Sequence, residues 1–267
     1  MNRYESDTAL LGVLADAARA ASLPHFRNGV AADNKAVSGF DPVTAADKAA
    51  EAAIRALLAE HRPEDGVLGE EEAAKPSRSG RTWIVDPIDG TRAFLAGLPS
   101  WCVLIALVEE DGPVLSVIDQ PHIGERFFGS TGRAGRSAHV ERGGERLALK
   151  VRAGRALGKA IGETTDPYLF EGDEAGVFET VRSRARLMRY GLDAYGYAMV
   201  AQGGVDFVIE SGLMSWDVAA LVPVVEGAGG ILTDWQGRPA HEGGQVVAAA
   251  NADLHGELLA LLAPAAL

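Results

Sequence analysis

The residues of this sequence best suited to chemistry are carboxylates around one short segment. Residues 83–90 read WIVDPIDG, so an apolar run ends in Asp86 and Asp89, with Pro87 and Ile88 between them. Because proline has no N–H and fixes φ at about −65°, we expect the strand ladder to stop at Pro87 and to leave the Ile88 carbonyl without a strand partner. The segment therefore offers a cation two carboxylates and one carbonyl oxygen.

The residues that follow Asp89 read GTRAF and predict the start of a helix. Backbone N–H groups at a helix N-terminus bind phosphate well, so Gly90 and Thr91 are candidates for a phosphate cradle next to the carboxylates. The alternative interpretation is a proline-containing turn in which Asp89 caps the helix. On this segment alone, a turn and a ligand site explain the residues equally well.

Other acids lie at predicted strand ends and helix starts, and each has a structural explanation as well as a functional one. Glu70 opens the acidic triplet 70–72 after a predicted strand, where an exposed loop is the default interpretation. Asp217 lies in the first turn of a predicted helix, where a negative charge favours the helix dipole. Asp47 stands three residues after Thr44 in a capping-box pattern.

Strand ends and helix starts are also where α/β folds place their ligand crevices, so convergence of these acids would define a site. Each close pair of carboxylates would repel by about 1–4 kcal/mol at the dielectric of a protein surface unless cations neutralised it. A ligand set made of oxygens, without clustered His or Cys, favours Mg²⁺ over zinc. Two or more Mg²⁺ ions beside a helix N-terminus suit phosphoryl chemistry.

The composition narrows the class of protein. The chain has 267 residues, of which 47% are hydrophobic, and a formal net charge of −12; this fits one large or two small globular domains and disfavours nucleic-acid partners. No apolar run reaches the roughly 20 residues of a membrane span, and the N-terminal residues do not read as a secretory signal. The single cysteine, Cys102, excludes an internal disulfide and favours a buried, inert thiol in a cytoplasmic protein.

Hydrophobic periodicity predicts the elements that must position the acids. A helix is expected at 7–23, with Ser6 or Asp7 as its cap, and again in the Ala-rich segment after Thr44. Short strands follow, with a hairpin around Gly112, and strands then alternate with helices in the C-terminal half. Proline inside the penultimate helix should kink or break it.

Three motifs, in order along nearly the whole chain, resemble the signatures of the inositol monophosphatase superfamily. They are LGEEE at 68–72, WIVDPIDGTRAF at 83–94 and WDVAALVPVVEGAGG at 216–230. The resemblance implies a Mg²⁺-dependent, Li⁺-sensitive phosphomonoesterase of the α/β (α+β) class, built as a layered α-β-α-β-α sandwich and usually homodimeric. We expect an N-terminal subdomain over 1–150, with a mostly antiparallel sheet and most metal ligands, and a C-terminal α/β subdomain over 151–267.

The resemblance also implies a role for each motif position. Two or three Mg²⁺ ions would be held by Glu70, Asp86, the Ile88 carbonyl, Asp89 and Asp217. Gly90 and Thr91 match the phosphate cradle, and Asp47 matches the position that helps to place a third metal and its water. The Thr91 hydroxyl, paired with Glu70 or Asp47, would help to orient the attacking water, so these three residues form the catalytic set. Lys35 is a weaker match to a basic residue found upstream in the family.

The substrate is predicted from a closer resemblance to the histidinol-phosphate phosphatase branch. It rests on DPIDGTRAF, LPSWCVLIAL, SVIDQPHIGERFFG and GLDAYGYAMVAQGGVDFVIESGL. Asp193 lies where inositol-type members usually carry a small residue, and Glu210 matches a position that contacts the alcohol part of the substrate. The resemblance implies that Asp89 and Asp217 also contact the substrate. Carboxylates at 193 and 210 favour the ammonium group of histidinol phosphate, since a charge-assisted hydrogen bond contributes about 1.5–3 kcal/mol. The structural alternative for Asp193 is an N-cap of the next helix.

Three other functions stay open. An inositol monophosphatase or a broad sugar-phosphate phosphatase would use the same motifs. A phosphatase of 3′-phosphoadenosine 5′-phosphate needs cationic groups for a second phosphate, and no obvious cluster of them accompanies the motifs. A metal-binding regulatory module without activity is disfavoured because Glu70, Asp86, Asp89, Thr91 and Asp217 are all present.

Overall fold

The computed structural model describes residues 3–29, 31–34 and 42–267, and Lys35 lies outside them. Its helices are α1 (Arg3–Ser22), α2 (Ala45–His61), α3 (Thr91–Ala96), α4 (Asp173–Arg184), α5 (Ala194–Gln202), α6 (Ser215–Val218), α7 (Leu221–Gly227) and α8 (Ala252–Leu262). Two short antiparallel strands, β1 (Ala32–Asn34) and β2 (Pro42–Thr44), precede α2. Within the described ranges, every helix is too short or too polar to span a bilayer.

Seven strands form the first large sheet, in the order β3-β4-β5-β6-β7-β8-β9. They are β3 (Gly66–Gly69), β4 (Thr82–Asp89), β5 (Cys102–Glu109), β6 (Gly112–Gln120), β7 (Glu125–Ser130), β8 (Ser137–Arg142) and β9 (Glu145–Ala148). Neighbouring strands are antiparallel, except that β3 and β4 are parallel. The predicted hairpin is the connection from β5 to β6.

Five strands form the second large sheet, in the order β11-β10-β12-β14-β13. They are β10 (Ile161–Thr164), β11 (Leu187–Tyr190), β12 (Phe207–Met214), β13 (Ile231–Thr233) and β14 (Gly243–Ala249). Strand β10 is parallel to both of its neighbours, whereas β14 is antiparallel to both of its own. This mixed sheet results from the alternation of strands and helices in the C-terminal half.

The helices and sheets stack as an α-β-α-β-α sandwich, so the predicted fold class is confirmed. Helices α1 and α2 cover the outer face of the seven-stranded sheet, where Leu14 and Ile54 share a core with Trp83. Helices α5 and α7 lie between the two sheets, and α4 and α8 cover the outer face of the five-stranded sheet. Side chains alternate along each strand, so Leu104 of β5 faces the middle layer while Val103 faces the outer core.

One predicted helix boundary is wrong because a polar residue was interpreted as a cap. Helix α1 begins at Arg3, four residues before Asp7. The Asp7 carboxylate is fully buried and accepts hydrogen bonds from Arg62 (Nε to Oδ1, 2.9 Å) and Arg81 (Nη2 to Oδ2, 2.5 Å). It therefore ties the first helix to the seven-stranded sheet instead of starting the helix.

The predicted break in the penultimate helix is confirmed. Helix α6 ends at Val218, and α7 begins at Leu221. Pro223 has no N–H to donate to the carbonyl four residues earlier, which disfavours a continuous helix across this point. The break leaves Asp217 in a short separate helix at the end of the five-stranded sheet.

Candidate active site

A bulge in β4 positions the first pair of acids. Asp86 pairs with Leu104 of β5, and Asp89 pairs with Cys102. Two residues of β4 therefore lie opposite a single residue of β5, which is a β-bulge. The Ile88 N–H donates to Asp86 Oδ1 at 3.0 Å, so the acid folds back over the bulge. The expected stop at Pro87 is therefore wrong: the strand continues to Asp89, because a bulge residue needs no N–H for the ladder.

The segment after the bulge begins a helix at a glycine. Gly90 has φ 80° and ψ 41°, in the left-handed region, and stands at the N-cap of α3. Asp89 does not cap this helix, so that alternative interpretation is wrong. The Thr91 hydroxyl donates to the Ile88 carbonyl at 3.1 Å, which holds the two groups next to each other. The roles of Gly90 and Thr91 towards phosphate, and the pairing of Thr91 with Glu70 or Asp47, stay predictions.

Three carboxylates from two distant parts of the chain meet at this point. Asp86, Asp89 and Asp217 each offer one oxygen, and these oxygens all lie within 4.8 Å of one another. Asp217 reaches the cluster from the first turn of α6, where its Oδ2 accepts the Met214 N–H at 2.7 Å. Asp217 therefore occupies a favourable first-turn position in its helix and also belongs to the acid cluster.

The charges in the cluster oppose one another. Burial raises the pKa of Asp86 well above its usual range, and the charges of Glu70, Asp89, Asp217 and Asp47 raise it further. Burial also raises the pKa of Asp217 to about 7, although the Met214 N–H acts in the opposite direction. The charges of Glu70 and Asp47 thus act on the ionisation of Asp86, while the roles of these two residues towards metal and water stay predictions.

The donor set fits a hard divalent cation. Each group in the cluster is a carboxylate oxygen, and the charges of other acids raise the pKa of all three clustered acids. Buried like charges without a counter-charge are destabilising, and a cation bound to them removes that repulsion. Oxygen ligands without His or Cys are typical of Mg²⁺ sites.

A second group of acids lies in the same cavity. The cavity has a volume of about 170 Å³ and is lined by Asp89, Thr165, Leu169, Asp193, Ala194, Tyr197, Glu210, Leu213, Asp217 and Leu221. The four predicted substrate residues, Asp89, Asp193, Glu210 and Asp217, therefore line one cavity, and two of them belong to the acid cluster. Larger cavities of about 520 and 690 Å³ lie elsewhere, so volume alone does not identify this site.

Asp193 points into this cavity instead of capping its own helix. It stands at the N-cap position of α5 with φ 51° and ψ −144°, a conformation rare for a residue with a side chain, and its carboxylate makes no capping hydrogen bond. The Ala194 N–H donates instead to Asp89 Oδ2, at 2.7 Å. Burial raises the pKa of Asp193 to about 7, and the charge of Glu210 raises it further.

Glu210 is held at both oxygens on the opposite wall. Its Oε1 accepts the Thr165 N–H and its Oε2 accepts the Tyr197 hydroxyl, each at 2.9 Å. Burial raises the pKa of Glu210, while the bonds from Thr165 and Tyr197 lower it. Behind it lies a second buried acid, Glu163, whose Oε1 accepts the Leu192 N–H at 3.2 Å.

Sequence reasoning missed Glu163 and Tyr197. The signal for Glu163 was an acid inside the otherwise uncharged strand IGET, where a charged residue has no solvent face to occupy. The signal for Tyr197 was its position four residues after Asp193 on one helix, because residues so spaced lie on the same face.

The capping box predicted at the start of α2 is confirmed. The Thr44 N–H and hydroxyl donate to Asp47 Oδ2 at 2.8 and 2.5 Å. The same carboxylate raises the pKa of Asp86, so capping and proximity to the site are compatible. The triplet that begins at Glu70 is not a fully exposed loop, since Glu70 and Glu71 are half-buried.

The sandwich brings acids from β4 and α6 together in a cluster that could bind a metal ion. Comparison with known proteins gives the family. The family model described as the inositol monophosphatase family matches residues 5–266, so the chain belongs to that family. The resemblance predicted from the three motifs is confirmed. The protein is a phosphatase of this superfamily, a class of metal-dependent hydrolases.

Individual relatives agree with this placement. The chain is 38% identical over 274 residues to a histidinol-phosphatase of Streptomyces coelicolor, covering 98% of each chain. It is 37% identical over 262 residues to the chloroplastic bifunctional phosphatase IMPL2 of Arabidopsis thaliana, covering 94% of this chain and 73% of the relative. The solved structure of an inositol monophosphatase from Zymomonas mobilis is 41% identical, with a TM-score of 0.86 over 98% of this chain and 100% of the other.

Proposed function

We propose that the protein hydrolyses histidinol phosphate to histidinol and phosphate in the presence of Mg²⁺. The observation that carries the proposal is the pair of carboxylates, half-buried Asp193 and buried Glu210, in the cavity that also receives Asp89 and Asp217. An anionic cavity wall suits an alcohol that carries an ammonium group, and it disfavours a second phosphate. The similarity to a histidinol-phosphatase over 98% of each chain supports the same substrate.

The geometry around Asp193 supports a role in binding rather than in folding. Its backbone is strained, and its carboxylate lies so close to the β4–α3 turn that a Cβ on Gly90 would come within 2.9 Å of its Oδ2. A strained backbone persists where the surrounding structure holds it, and such residues cluster at ligand sites. Glycine at 90 therefore admits a carboxylate that lies directly beside the proposed phosphate position.

The residues that hold the metal ions follow from the cluster. We assign Asp86, Asp89 and Asp217 of the cluster as carboxylate ligands, and we add Glu70 from its motif position and its effect on the pKa of Asp86. The Ile88 carbonyl oxygen joins them, since its second lone pair is available beside the bond from Thr91. Bound Mg²⁺ would supply Lewis-acid chemistry, lowering the pKa of a water and neutralising charge on the phosphoryl oxygens.

The remaining roles concern the water and the phosphate. The charges of Glu70 and Asp47 act on the ionisation of Asp86, and carboxylates at this side of Asp86 would orient the attacking water by accepting its hydrogen bonds. The Thr91 hydroxyl can take part with them, and the N–H groups of Gly90 and Thr91 face the phosphoryl oxygens. Asp193 and Glu210 orient the alcohol by its ammonium group.

The test compares a charged and an uncharged alcohol with one charge-removing variant. Asp193→Asn keeps the shape of the side chain and tolerates a positive φ. We expect it to raise KM for histidinol phosphate at least about tenfold, because one charge-assisted hydrogen bond is lost. KM for inositol phosphate should change less than about twofold, since that alcohol has no charge to lose a partner. Equal changes for both substrates would remove the assignment.

Asp166→Asn is the matched control. Asp166 is an acid near the rim whose carboxylate caps its own turn at the Tyr168 N–H (3.0 Å) and lies 3.9 Å from Arg92, and it does not line the cavity. The variant loses the same unit of charge as Asp193→Asn, so it reports any general effect of net charge on the substrate cation. We expect it to leave the ratio of the two KM values unchanged.

A second candidate is an inositol monophosphatase or a broad sugar-phosphate phosphatase. The solved inositol monophosphatase at 41% identity favours it. A panel of histidinol phosphate, inositol phosphate, fructose bisphosphate and 3′-phosphoadenosine 5′-phosphate separates these functions by kcat/KM. Phosphate release from no substrate in the panel would support an inactive metal-binding module.

The homodimer, the cytoplasmic location, the lithium sensitivity and the division into subdomains at residue 150 remain predictions. Sedimentation of the purified chain tests the homodimer, and inhibition of phosphate release by Li⁺ tests the lithium sensitivity.

A further inference from the structure

A buried carboxylate on α2 holds the loop that carries Glu70. Glu51 Oε2 accepts the Glu71 N–H at 2.8 Å, and Oε1 accepts the Glu72 N–H at 3.1 Å. Glu51 is fully buried, so the acceptor end of each bond is shielded from water. Two successive backbone N–H groups directly after Glu70 are therefore fixed by one side chain from another element.

Arg55, one turn further along α2, completes this arrangement. Its Nε donates to Glu51 Oε1 at 2.7 Å, and its Nη2 donates to the Glu72 carbonyl at 3.0 Å. The arginine neutralises the buried carboxylate and also binds the loop itself. Without such a partner, a buried charge is strongly destabilising.

Gly69 makes room for the carboxylate on the other side of Glu70. A Cβ at this position would lie 2.2 Å from Glu51 Oε1 and 2.4 Å from its Cδ. The φ of Gly69 is not positive, so its backbone conformation would accept other residues. A glycine is required because Glu51 approaches so closely. Glu70 thus stands between Gly69, which leaves room for the Glu51 carboxylate, and Glu71, whose N–H donates to it.

The same helix also carries Asp47, one turn before Glu51. Residues four apart lie on one face of a helix, so α2 presents Asp47 and Glu51 to the same side. Asp47 and Glu70 both raise the pKa of Asp86. Repulsion from Asp86 would move a free loop away, and the bonds to Glu51 oppose that movement.

We propose that Glu51 is a positioning residue for Glu70: it holds the loop 69–72 against α2 so that the Glu70 carboxylate faces Asp86, and metal binding depends on it. The inference rests on the proposed role of Glu70 as a metal ligand. Glu51 itself stays outside the ligand set, because both of its oxygens are used by the loop and by Arg55.

The experiment replaces Glu51 by glutamine and measures metal binding directly. Glu51→Gln has nearly the same shape, but its NH₂ group must face one of the two N–H donors, so at least one bond is lost. We expect Mn²⁺ binding, followed by electron paramagnetic resonance without substrate, to weaken about 10–100-fold, as for other residues that orient metal ligands. The Mg²⁺ concentration for half-maximal phosphate release should rise by the same factor, while KM for substrate at saturating Mg²⁺ stays within about twofold. Unchanged Mn²⁺ binding would overturn the inference.

Asp65→Asn is the matched control for a general loss of stability. Asp65 is also a buried acid next to β3, at the other end of that strand, and it accepts the Trp83 Nε1–H at 2.9 Å and the Ser79 hydroxyl at 2.6 Å. We expect this variant to lower Tm without changing Mn²⁺ affinity. An equal loss of affinity in both variants would mean that instability, not positioning, weakens the metal.

A double-mutant cycle with Gly69→Ala tests the contact itself. In the wild-type background, the added methyl group collides with Glu51, so Mn²⁺ binding should weaken about tenfold or more. In a Glu51→Ala background the space is free, and the same change should cost less than about twofold. Additive effects would contradict the proposed contact. If the wild-type protein binds no Mn²⁺ at all, the metal site fails and not the role of Glu51.

Discussion

Asp89 Oδ2 accepts a hydrogen bond of 2.7 Å from the backbone N–H of Ala194, which lies 105 residues further along the chain. An acid of the metal cluster therefore caps a helix on the other side of the cavity. A carboxylate at a helix N-terminus is favourable, because it satisfies a free N–H and complements the helix dipole. The bond also explains why Asp193, which stands at the N-cap position, can direct its own carboxylate into the cavity.

The first prediction separates the two roles of Asp89. Asp89→Asn keeps an oxygen that can accept the Ala194 N–H but removes the charge that attracts a cation. We expect Mg²⁺-dependent phosphate release to fall at least about 100-fold, while Tm stays nearly unchanged because asparagine caps helices as well as aspartate does. Activity near the wild-type level would mean that the cluster is not the metal site.

Asp89→Ala is the companion variant. It removes the cap as well as the charge, so it should lower both activity and the free energy of unfolding, the latter by about 1 kcal/mol. Urea denaturation of the two variants measures the difference. A loss of activity in Asp89→Asn with an equal loss of stability would contradict the separation of roles.

The second prediction concerns the pH dependence of stability without metal. The folded-state pKa of Asp217 is about 7, above the value of about 3.9 for an unfolded chain, so the folded protein binds this proton more tightly. The sign follows from linkage: the free energy of unfolding decreases as pH rises from about 4 to about 7 and stays low above that range. The contribution of Asp217 should therefore make the metal-free protein more stable at pH 5.5 than at pH 8.

Added Mg²⁺ should reverse that trend. Mg²⁺ binds ionised carboxylates, so it competes with the proton at low pH and removes the repulsion at high pH. We expect the rise in Tm on adding saturating Mg²⁺ to be at least about 3 °C larger at pH 8 than at pH 5.5, which corresponds to about 1 kcal/mol. Thermal denaturation with NaCl of equal ionic strength is the control. Asp217→Asn should reduce the difference, and the same Tm rise at both pH values would contradict the prediction.

The sequence allowed a good prediction of local features and of the family, and a poorer one of long-range contacts. The capping box of Thr44 and Asp47 and the break before Pro223 follow from side-chain chemistry within four residues, so they could be read directly. The bond from Ala194 to Asp89 could not, because it depends on how two sheets pack across a shared layer of helices.

The errors have the same origin. A proline in a strand normally ends the ladder, but a bulge around Pro87 accommodates it, and only the pairing with β5 shows this. In the sequence, Asp7 resembles a helix cap, because its partners, Arg62 and Arg81, lie far away along the chain. The sequence did not single out Glu51, because its partners are backbone groups 20 and 21 residues away.

The third prediction concerns backbone strain at Asp193. Its φ of 51° lies in the left-handed region, where a side chain is unfavourable and glycine is not. Asp193→Gly should therefore raise the free energy of unfolding by about 1 kcal/mol or more relative to Asp193→Ala. It should also raise KM for histidinol phosphate, since the carboxylate is lost. Chemical denaturation and steady-state kinetics on the same two variants make the comparison, and a glycine variant no more stable than the alanine variant would contradict the argument.

The fourth prediction uses two tyrosines of α5 that each bind a glutamate. The Tyr197 hydroxyl donates to Glu210 in the cavity at 2.9 Å, and the Tyr195 hydroxyl donates to Glu125 of β7 at 2.6 Å, outside the cavity lining. Each change to phenylalanine should cost about 1 kcal/mol of unfolding free energy, because one hydrogen bond is lost. Only Tyr197→Phe should raise KM for histidinol phosphate.

The pH profile distinguishes the two variants further. The bond from Tyr197 lowers the pKa of Glu210, so its loss leaves more of that acid protonated and unable to pair with an ammonium group. The KM increase of Tyr197→Phe should therefore be greatest at low pH and should decrease as pH rises. Inositol phosphate, which carries the same titrating phosphate without the ammonium group, corrects for ionisation of the ester. A KM increase that is independent of pH, or that Tyr195→Phe shares, would show that Glu210 does not bind the substrate through its charge.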